Sequence, residues 1–538
     1  MRLERIKIEN HSRIADLEID VRDHLVLVGP NDVGKSSILR CLNLLLGAST
    51  AQLYSTMNPN DVRDVEQPLI IEVTLNSFDD DQQALFPDEI EVDPATGKIA
   101  LTVRLAVHVE EDESLHIART APGGGTGRQI SREQLAGFGW RMLGALGGKR
   151  DLREDRKTSI DDLLSAIDLG GEKVGFDALR TQLEQKLDDS EALKEFRTGL
   201  ASQLSRALPE EVDEKDLRFV PGASTDDDAL SDVRLQMTRS GSARSLTEQS
   251  DGTRALFALA LYDLVSADAS IVGVDEPETH LHPTSQRSLA KLLRDGGNQK
   301  IIATHSADIV SAFRAECIVT VKTGGIAVQP AKDFLDEDER MAVRWWVRGR
   351  LEPLTARRVL AVEGLSDRIV LERAGELTGR DLDRLGVSVV ETDGAGDMGA
   401  IIKLFGATGF NIPMTLLIDE DAVEKTAETL GVKANELKKH CVWVSEPDLE
   451  AEYVEAIGAD VLWAAIEKSS LFSKNERSNC CASGPGGSRT AEDVAAFCRR
   501  KKSGYKVRSA MIVAQLLDNT SSQRIRSVES LLEEAERS

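Results

Sequence analysis

Apolar side chains recur with a period of two at 2–8 and run unbroken at 25–29, which predicts two strands around a charged turn. The second, LVLVGP, meets NDVGKSSILRCLNLLLG, where the apolar spacing becomes helical: a glycine-rich loop enters a helix. Residues 69–75 (LIIEVTL) and 99–109 (IALTVRLAVHV) alternate apolar and polar positions and predict strands of an antiparallel layer. From about 120 the pattern changes. GGGTG is a break, and 131–208 reads as helices with long charged faces and no strand signal, a helical insertion at about 120–230. Strands return at 232–238, 270–274 and 300–303, around a helix at 253–266. Residues 333–340 form an acidic linker. A second α/β unit runs from about 355: strand VLAVEG, helix 366–378, strand VSVVET, helix 397–408 and strand TLLIDED. Residues 473–490, rich in Ser, Gly and Asn, predict a mobile loop. The expected division is 1–335, a linker at 336–354, and 355–538.

With 538 residues, 41% hydrophobic and 29% charged, the chain has globular rather than disordered composition. Aromatics are only 4%, so aliphatic side chains must fill the core. No apolar run approaches the ~20 residues that cross a bilayer, and MRLERIKIEN lacks the apolar segment of a signal peptide. A cytoplasmic protein without membrane contact is expected. The six cysteines form no CxxC pair, which argues against structural zinc, and the adjacent Cys480 and Cys481 read as bystander thiols. A net charge of −25 argues, as an average, against a phosphate-rich partner. The average hides a local excess, since 474–508 carries nine basic residues against three acidic ones.

Gly29-Pro30-Asn31-Asp32-Val33-Gly34-Lys35-Ser36 has the form G-x4-G-K-S between a strand and a helix. Backbone N–H groups around Gly29, Asn31 and Gly34 would wrap phosphates at the helix N-terminus. Lys35 would reach the β- and γ-phosphates, and Ser36, with Ser37 beside it, would hold Mg²⁺. Asp32 is unusual there, because a carboxylate near phosphates weakens nucleotide binding. Residues 270–276 (SIVGVDE) are a short apolar strand ending in two acids. Asp275 suits the outer Mg²⁺ contact, and Glu276 the base that polarises the attacking water. Between the two, Glu248–Arg254 (EQSDGTR) resembles the signature motif of ABC-type ATPases, although it departs from the LSGGQ form. The resemblance implies that Ser250 and Gly252 contact the γ-phosphate of a second subunit's ATP, so a homodimer or higher homo-oligomer is expected. Ile302–Ser306 (IATHS) resembles that family's switch strand, with His305 in the catalytic role, and 278–283 (ETHLHP) its D-loop region.

In the second unit, Val362-Glu363-Gly364-Leu365-Ser366-Asp367 ends a strand on Glu363 and places Asp367 one helical turn on. About 55 residues later comes Leu417-Ile418-Asp419-Glu420-Asp421. Side chains alternate on a strand, so Asp419 and Asp421 are expected on one face of its end. Three crowded carboxylates repel one another unless a hard divalent cation neutralises them.

This pairing resembles the Toprim domain, and an ABC-type ATPase followed by Toprim resembles the OLD (overcoming lysogenization defect) family of nucleases. The resemblance covers nearly the whole chain. It implies an α/β multidomain fold: a RecF/SMC-like ATPase with a helical dimerisation insertion, then a Rossmann-like Toprim domain. It also implies an ATP-regulated, Mg²⁺- or Mn²⁺-dependent endonuclease acting on double-stranded DNA, in defence against phage. By the same resemblance Asp448-Leu449-Glu450 supplies a further acidic motif, and Gly504-Tyr505-Lys506-Val507-Arg508 the lysine that stabilises charge on the scissile phosphate. Glu363, Asp419 and Asp421 would bind one metal, and Asp367 and Glu450, with Asp448 beside them, the other. Two alternatives stand: a RecF/SMC-like DNA clamp without nuclease activity, and a primase-like or, last, topoisomerase-like Toprim enzyme. A topoisomerase needs a tyrosine nucleophile, and only Tyr453 and Tyr505 lie in this half. Whether a helicase-like partner joins the protein is not written in the sequence.

Overall fold

The computed structural model describes residues 1–92, 97–124, 128–143, 182, 185–207, 211–220, 234–239, 242–245, 253, 269–279, 281–340, 351–392, 398–500 and 504–537. They divide into two units, Met1–Ala327 and Val328–Ser538. Ser250, Gly252, His280, most of the stretch read as a helical insertion, and nearly all of the helix expected at 253–266 lie outside the described residues.

In the first unit, the alternation at 69–76 and 99–109 does what it predicts. Leu69, Ile71, Val73 and Leu75 are buried, as are Leu101, Val103, Leu105 and Val107, while their neighbours are half-exposed. The two strands pair antiparallel within a sheet that also holds Arg2–Glu9, Leu17–Asp20 and Leu115–Ala121. A second sheet runs in the order Ile326–Val328, Ile318–Lys322, Leu25–Val28, Gln299–Thr304, Ile271–Asp275, Trp140–Leu143. Its parallel core strands are continuous buried runs, because both faces are covered. The helix Lys35–Leu46 packs against strands of both sheets. Trp140–Leu143 corrects the expectation that 131–208 holds no strand. It pairs parallel with Ile271–Asp275 at the sheet edge. Four residues without alternation cannot be told from a turn of helix by periodicity.

The second unit has a four-stranded parallel sheet in the order Val387–Glu391, Arg358–Val362, Met414–Asp419, Val442–Ser445. In chain order that is second, first, third, fourth. The direction of winding therefore reverses between the first and third strands, which opens a crevice at their C-terminal ends. Glu363 follows the first strand and Asp419 ends the third. The core beneath is aliphatic. Leu360 is fully buried in the central strand, and Leu360→Ala should cost about 2–5 kcal/mol, read as a lower thermal midpoint.

The acidic stretch read as a linker packs within this unit, with Phe334 edge-on to Phe410 and Glu339 paired to Lys403. The loop at 473–490 also has structure of its own. Ser473 caps the turn Lys474–Arg477, and the Asp493 carboxylate accepts from Ser483 N, Ser483 Oγ and Thr490 N, each at 2.9 Å. Those bonds hold the Asp493 carboxyl down at about 2. An unfolded aspartate titrates near 3.9. The folded pKa is depressed, so this stabilisation is present above about pH 4 and is lost as the pH falls towards 2. Asp493→Asn should reduce amide protection at Ser483 and Thr490 roughly tenfold at neutral pH, after correction for intrinsic exchange, and remove the acid dependence.

Candidate functional site

The parallel strands of the first unit deliver three segments to one sheet edge: the loop after Val28, Asp275–Glu276 and Thr304–His305. Gly29 has no room for a side chain, since a Cβ would stand 2.2 Å from Val321 O. Gly34 takes φ 111° as it opens the helix. Lys35 is buried, and its Nζ donates to Gly29 O at 2.9 Å and Pro30 O at 2.7 Å. Burial lowers its pKa. Ser36 Oγ donates to Asp275 Oδ1 at 3.0 Å, which places together the two side chains expected to share Mg²⁺. Burial raises the Asp275 pKa. Ser37 is half-buried one residue on, and Asn31 is exposed.

Glu276 sits at φ 43°, with its carboxylate 3.4 Å from His305 Nε2 but not aligned for a hydrogen bond. Burial, then the Lys35 charge, lowers the His305 pKa, so its imidazole is neutral at pH 7. Glu278 gained no role from sequence. It is the residue that anchors His305, accepting from its backbone N–H. Asp32 lines a cleft of about 610 Å³ together with Arg13 and Arg63. The His282 ring caps the helix Pro283–Asp295, a structural task.

In the second unit, Glu363, Asp419 and Asp421 each offer a carboxylate oxygen, all within 4.8 Å of one another. Strand alternation is not what brings Asp421 in. The strand stops at Asp419, and the 3₁₀ turn Glu420–Ala422 carries Asp421 back. Glu363 Oε1 accepts from Asp419 N at 3.3 Å. Burial raises the pKa of Glu363 and of Asp419. Asp367, 7% exposed, accepts from Gly364 N at 2.8 Å and is pushed up to about 7 by burial, then by Asp419 and Glu450. Glu450, 1% exposed, is likewise pushed up to about 7 by burial.

Lys506 enters from the first turn of the helix Tyr505–Leu516, which Gly504 opens at φ 66°. Its Nζ lies 3.4 Å from Glu450 Oε1 and 3.5 Å from Asp419 Oδ2. Burial works to lower its pKa, but Glu450, Asp419 and Asp367 outweigh that and raise it. Asp448 borders the cluster, and its charge acts on Asp419 and Glu450. It caps the helix Leu449–Ile457 through Ala451 N at 2.8 Å and pairs with Arg499 at 2.8 Å, a partner that spacing alone did not suggest. Tyr453 and Tyr505 are both buried, so neither presents a nucleophile.

These residues fit a divalent cation. The Lys506 ammonium is set against four carboxylates, Glu450, Asp419, Asp367 and Glu363, Glu450 Oε2 is buried without a hydrogen-bond partner among the described residues, and the donors are all oxygen, which suits Mg²⁺ or Mn²⁺.

The family described as "AAA ATPase domain" matches residues 1–120, and an "AAA domain" of the "Type IV TA system" description matches 143–311. Residues 354–421 match "Overcoming lysogenization defect protein-like, TOPRIM domain", a span that includes Glu363, Asp367, Asp419 and Asp421. The class is therefore an AAA-type ATPase joined to a Toprim domain. The chain is 24% identical over 455 residues to "OLD nuclease" of Thermus scotoductus, covering 78% of this chain and 82% of that one. It is 23% identical over 478 residues to "Old nuclease" of Escherichia phage P2, covering 78% and 77%. It is 20% identical over 536 residues to "Endonuclease GajA" of Bacillus cereus, covering 85% and 90%. Over most of its length the chain is therefore similar to nucleases of the OLD family.

Proposed function

We propose that the protein is an ATP-regulated, divalent-metal-dependent endonuclease of double-stranded DNA, acting in defence against phage. Residues 1–335 would form the ATPase arm and 355–538 the nuclease. The observation that carries the reading is the convergence of Glu363, Asp419 and Asp421, with buried Glu450 and Lys506 alongside. The names of the relatives support a nuclease.

Glu363, Asp419 and Asp421 would hold one cation, and Asp367 and Glu450 a second; Asp448 contributes by fixing the helix that carries Glu450. A cation held there supplies Lewis-acid activation of water and stabilises charge on the leaving oxygen. Lys506 balances Asp419 and Glu450 until substrate arrives, then presents its ammonium to a non-bridging oxygen of the scissile phosphate. Glu450 and Asp367 are buried and bind protons near neutrality, so they would have to release those protons in order to hold a cation.

At the other site, Lys35 would exchange the Gly29 and Pro30 carbonyls for the β- and γ-phosphates. Asp275 and Ser36 would orient the metal-bound end of ATP. Glu276 would accept the water's proton, with neutral His305 positioning the γ-phosphate. Hydrolysis of a phosphodiester needs no ATP energy, so ATP would gate access of DNA or subunit closure. Cleavage of supercoiled and linear DNA with and without ATP tests this; rates independent of ATP would leave the nuclease but remove the regulation.

Ser250 and Gly252 would complete the ATP site of a partner subunit. Light scattering without and with ATP should show at least a dimer under one condition. A monomer under both would remove the trans assignment.

A further inference from the structure

Arg119, on the strand Leu115–Ala121 of the antiparallel sheet, is 6% exposed. Its Nη2 donates to Leu44 O at 2.7 Å and Ala48 O at 2.6 Å, and its Nε is buried without a partner among the described residues. Among the described residues no carboxylate pairs with it. Burial alone pushes its pKa down to about 10. A guanidinium buried without a counter-charge costs several kcal/mol, so its environment must return something.

What faces it is the C-terminal end of the helix that the nucleotide loop opens. Leu44 is in the last turn of Lys35–Leu46, where carbonyls have no helical N–H and the helix dipole is negative. A cation there satisfies both. The same helix end is tied to the other sheet, since Trp140 Nε1 donates to Asn43 Oδ1 at 3.0 Å. Trp140 also packs so closely on Gly47 that a Cβ there would stand 2.7 Å from its ring. The rest of the helix is held by apolar contacts of Ile38, Leu39, Leu42 and Leu45, which are not directional, whereas the hydrogen bonds at its C-terminal end are. A helix of 12 residues is about 18 Å long, so a small tilt at the pinned end displaces the phosphate-binding end.

We infer that Arg119 is a positioning residue for the nucleotide site: through Leu44 and Ala48 the antiparallel sheet sets the angle of the phosphate-binding helix and hence the affinity for ATP. The inference rests on residues 29–36 being the ATP site, so Lys35→Ala is the reference. If the wild type and Lys35→Ala bind ATP alike, the site reading fails, whatever Arg119 does.

The experiment is ATP affinity by fluorescence titration and hydrolysis kinetics on the full chain, well below the thermal midpoint of each variant. Arg119→Met keeps the length and apolar stem, and Arg119→Lys keeps the charge and one donor group. Arg119→Met should raise the Kd and the KM for ATP at least tenfold with kcat changed less than threefold. Arg119→Lys should fall between Arg119→Met and the wild type. A residue that merely stabilised the fold would lower the midpoint and leave the Kd of the folded protein unchanged, and that result overturns the inference. If Arg119→Met does not fold, Arg119→Lys decides alone: a several-fold rise in Kd supports it, and a wild-type Kd overturns it.

Discussion

Asp419→Ala abolishes DNA cleavage and leaves ATP binding at the wild-type level. The expected loss is about a hundred- to a thousandfold or more, because a divalent ion contributes several kcal/mol of charge stabilisation and each 1.36 kcal/mol is tenfold in rate. Asp419 is the hub of its cluster. Its N–H reaches Glu363, its Oδ1 accepts from Leu449 N at 3.1 Å, and its Oδ2 faces Lys506. Alanine therefore removes a ligand, a tie to the helix that carries Glu450, and the partner of the lysine. Asp419→Asn keeps the Leu449 bond and removes only the charge, so equal loss in both variants assigns the effect to the metal site rather than to local collapse. The ATP site lies in the other unit, and its occupancy should not change. Cleavage by either variant at the wild-type rate would sink the assignment.

Lys35→Ala and Glu276→Gln should separate binding from hydrolysis. Lys35 is the one cation on the phosphate loop, and hydrogen bonds to charged groups are worth about 1.5–3 kcal/mol, so its removal weakens ATP binding roughly 10- to 100-fold. Glu276→Gln keeps the shape and loses the base. It should bind ATP like the wild type while hydrolysis falls roughly 10²- to 10⁴-fold, and ATP should stay trapped in the closed site. His305 does not substitute, because it is 3.4 Å from Glu276 and would lose the charge it faces. Equal loss of ATP binding in both variants contradicts these roles.

How much of this was legible in the sequence follows from the range over which each signal acts. The alternation at 69–76 and the G-x4-G-K-S loop are local, and the chain folds there as its pattern dictates. The acids at 363, 367, 419 and 421 were visible as types and spacings. The geometry that joins them was not, since Asp421 arrives by a 3₁₀ turn that looks like more strand in one dimension. Trp140–Leu143 is a strand only because Ile271–Asp275 lies beside it, and its partner is more than a hundred residues away. Glu278 and Arg119 act through backbone atoms, which carry no residue-specific mark in the sequence. Asp448 has the right type and spacing for a ligand, but Arg499 and the helix end claim its oxygens.

The central claim is that the carboxylate cluster of the second unit is a metal-dependent nuclease site. Supercoiled DNA incubated with the full chain in chelator, then with Mg²⁺ or Mn²⁺ restored, tests it most directly. Intact plasmid in chelator and cleavage on adding either cation are expected, with Asp419→Ala inactive throughout. Intact plasmid with every divalent cation, from protein that still hydrolyses ATP, would contradict it and leave a DNA clamp as the better description.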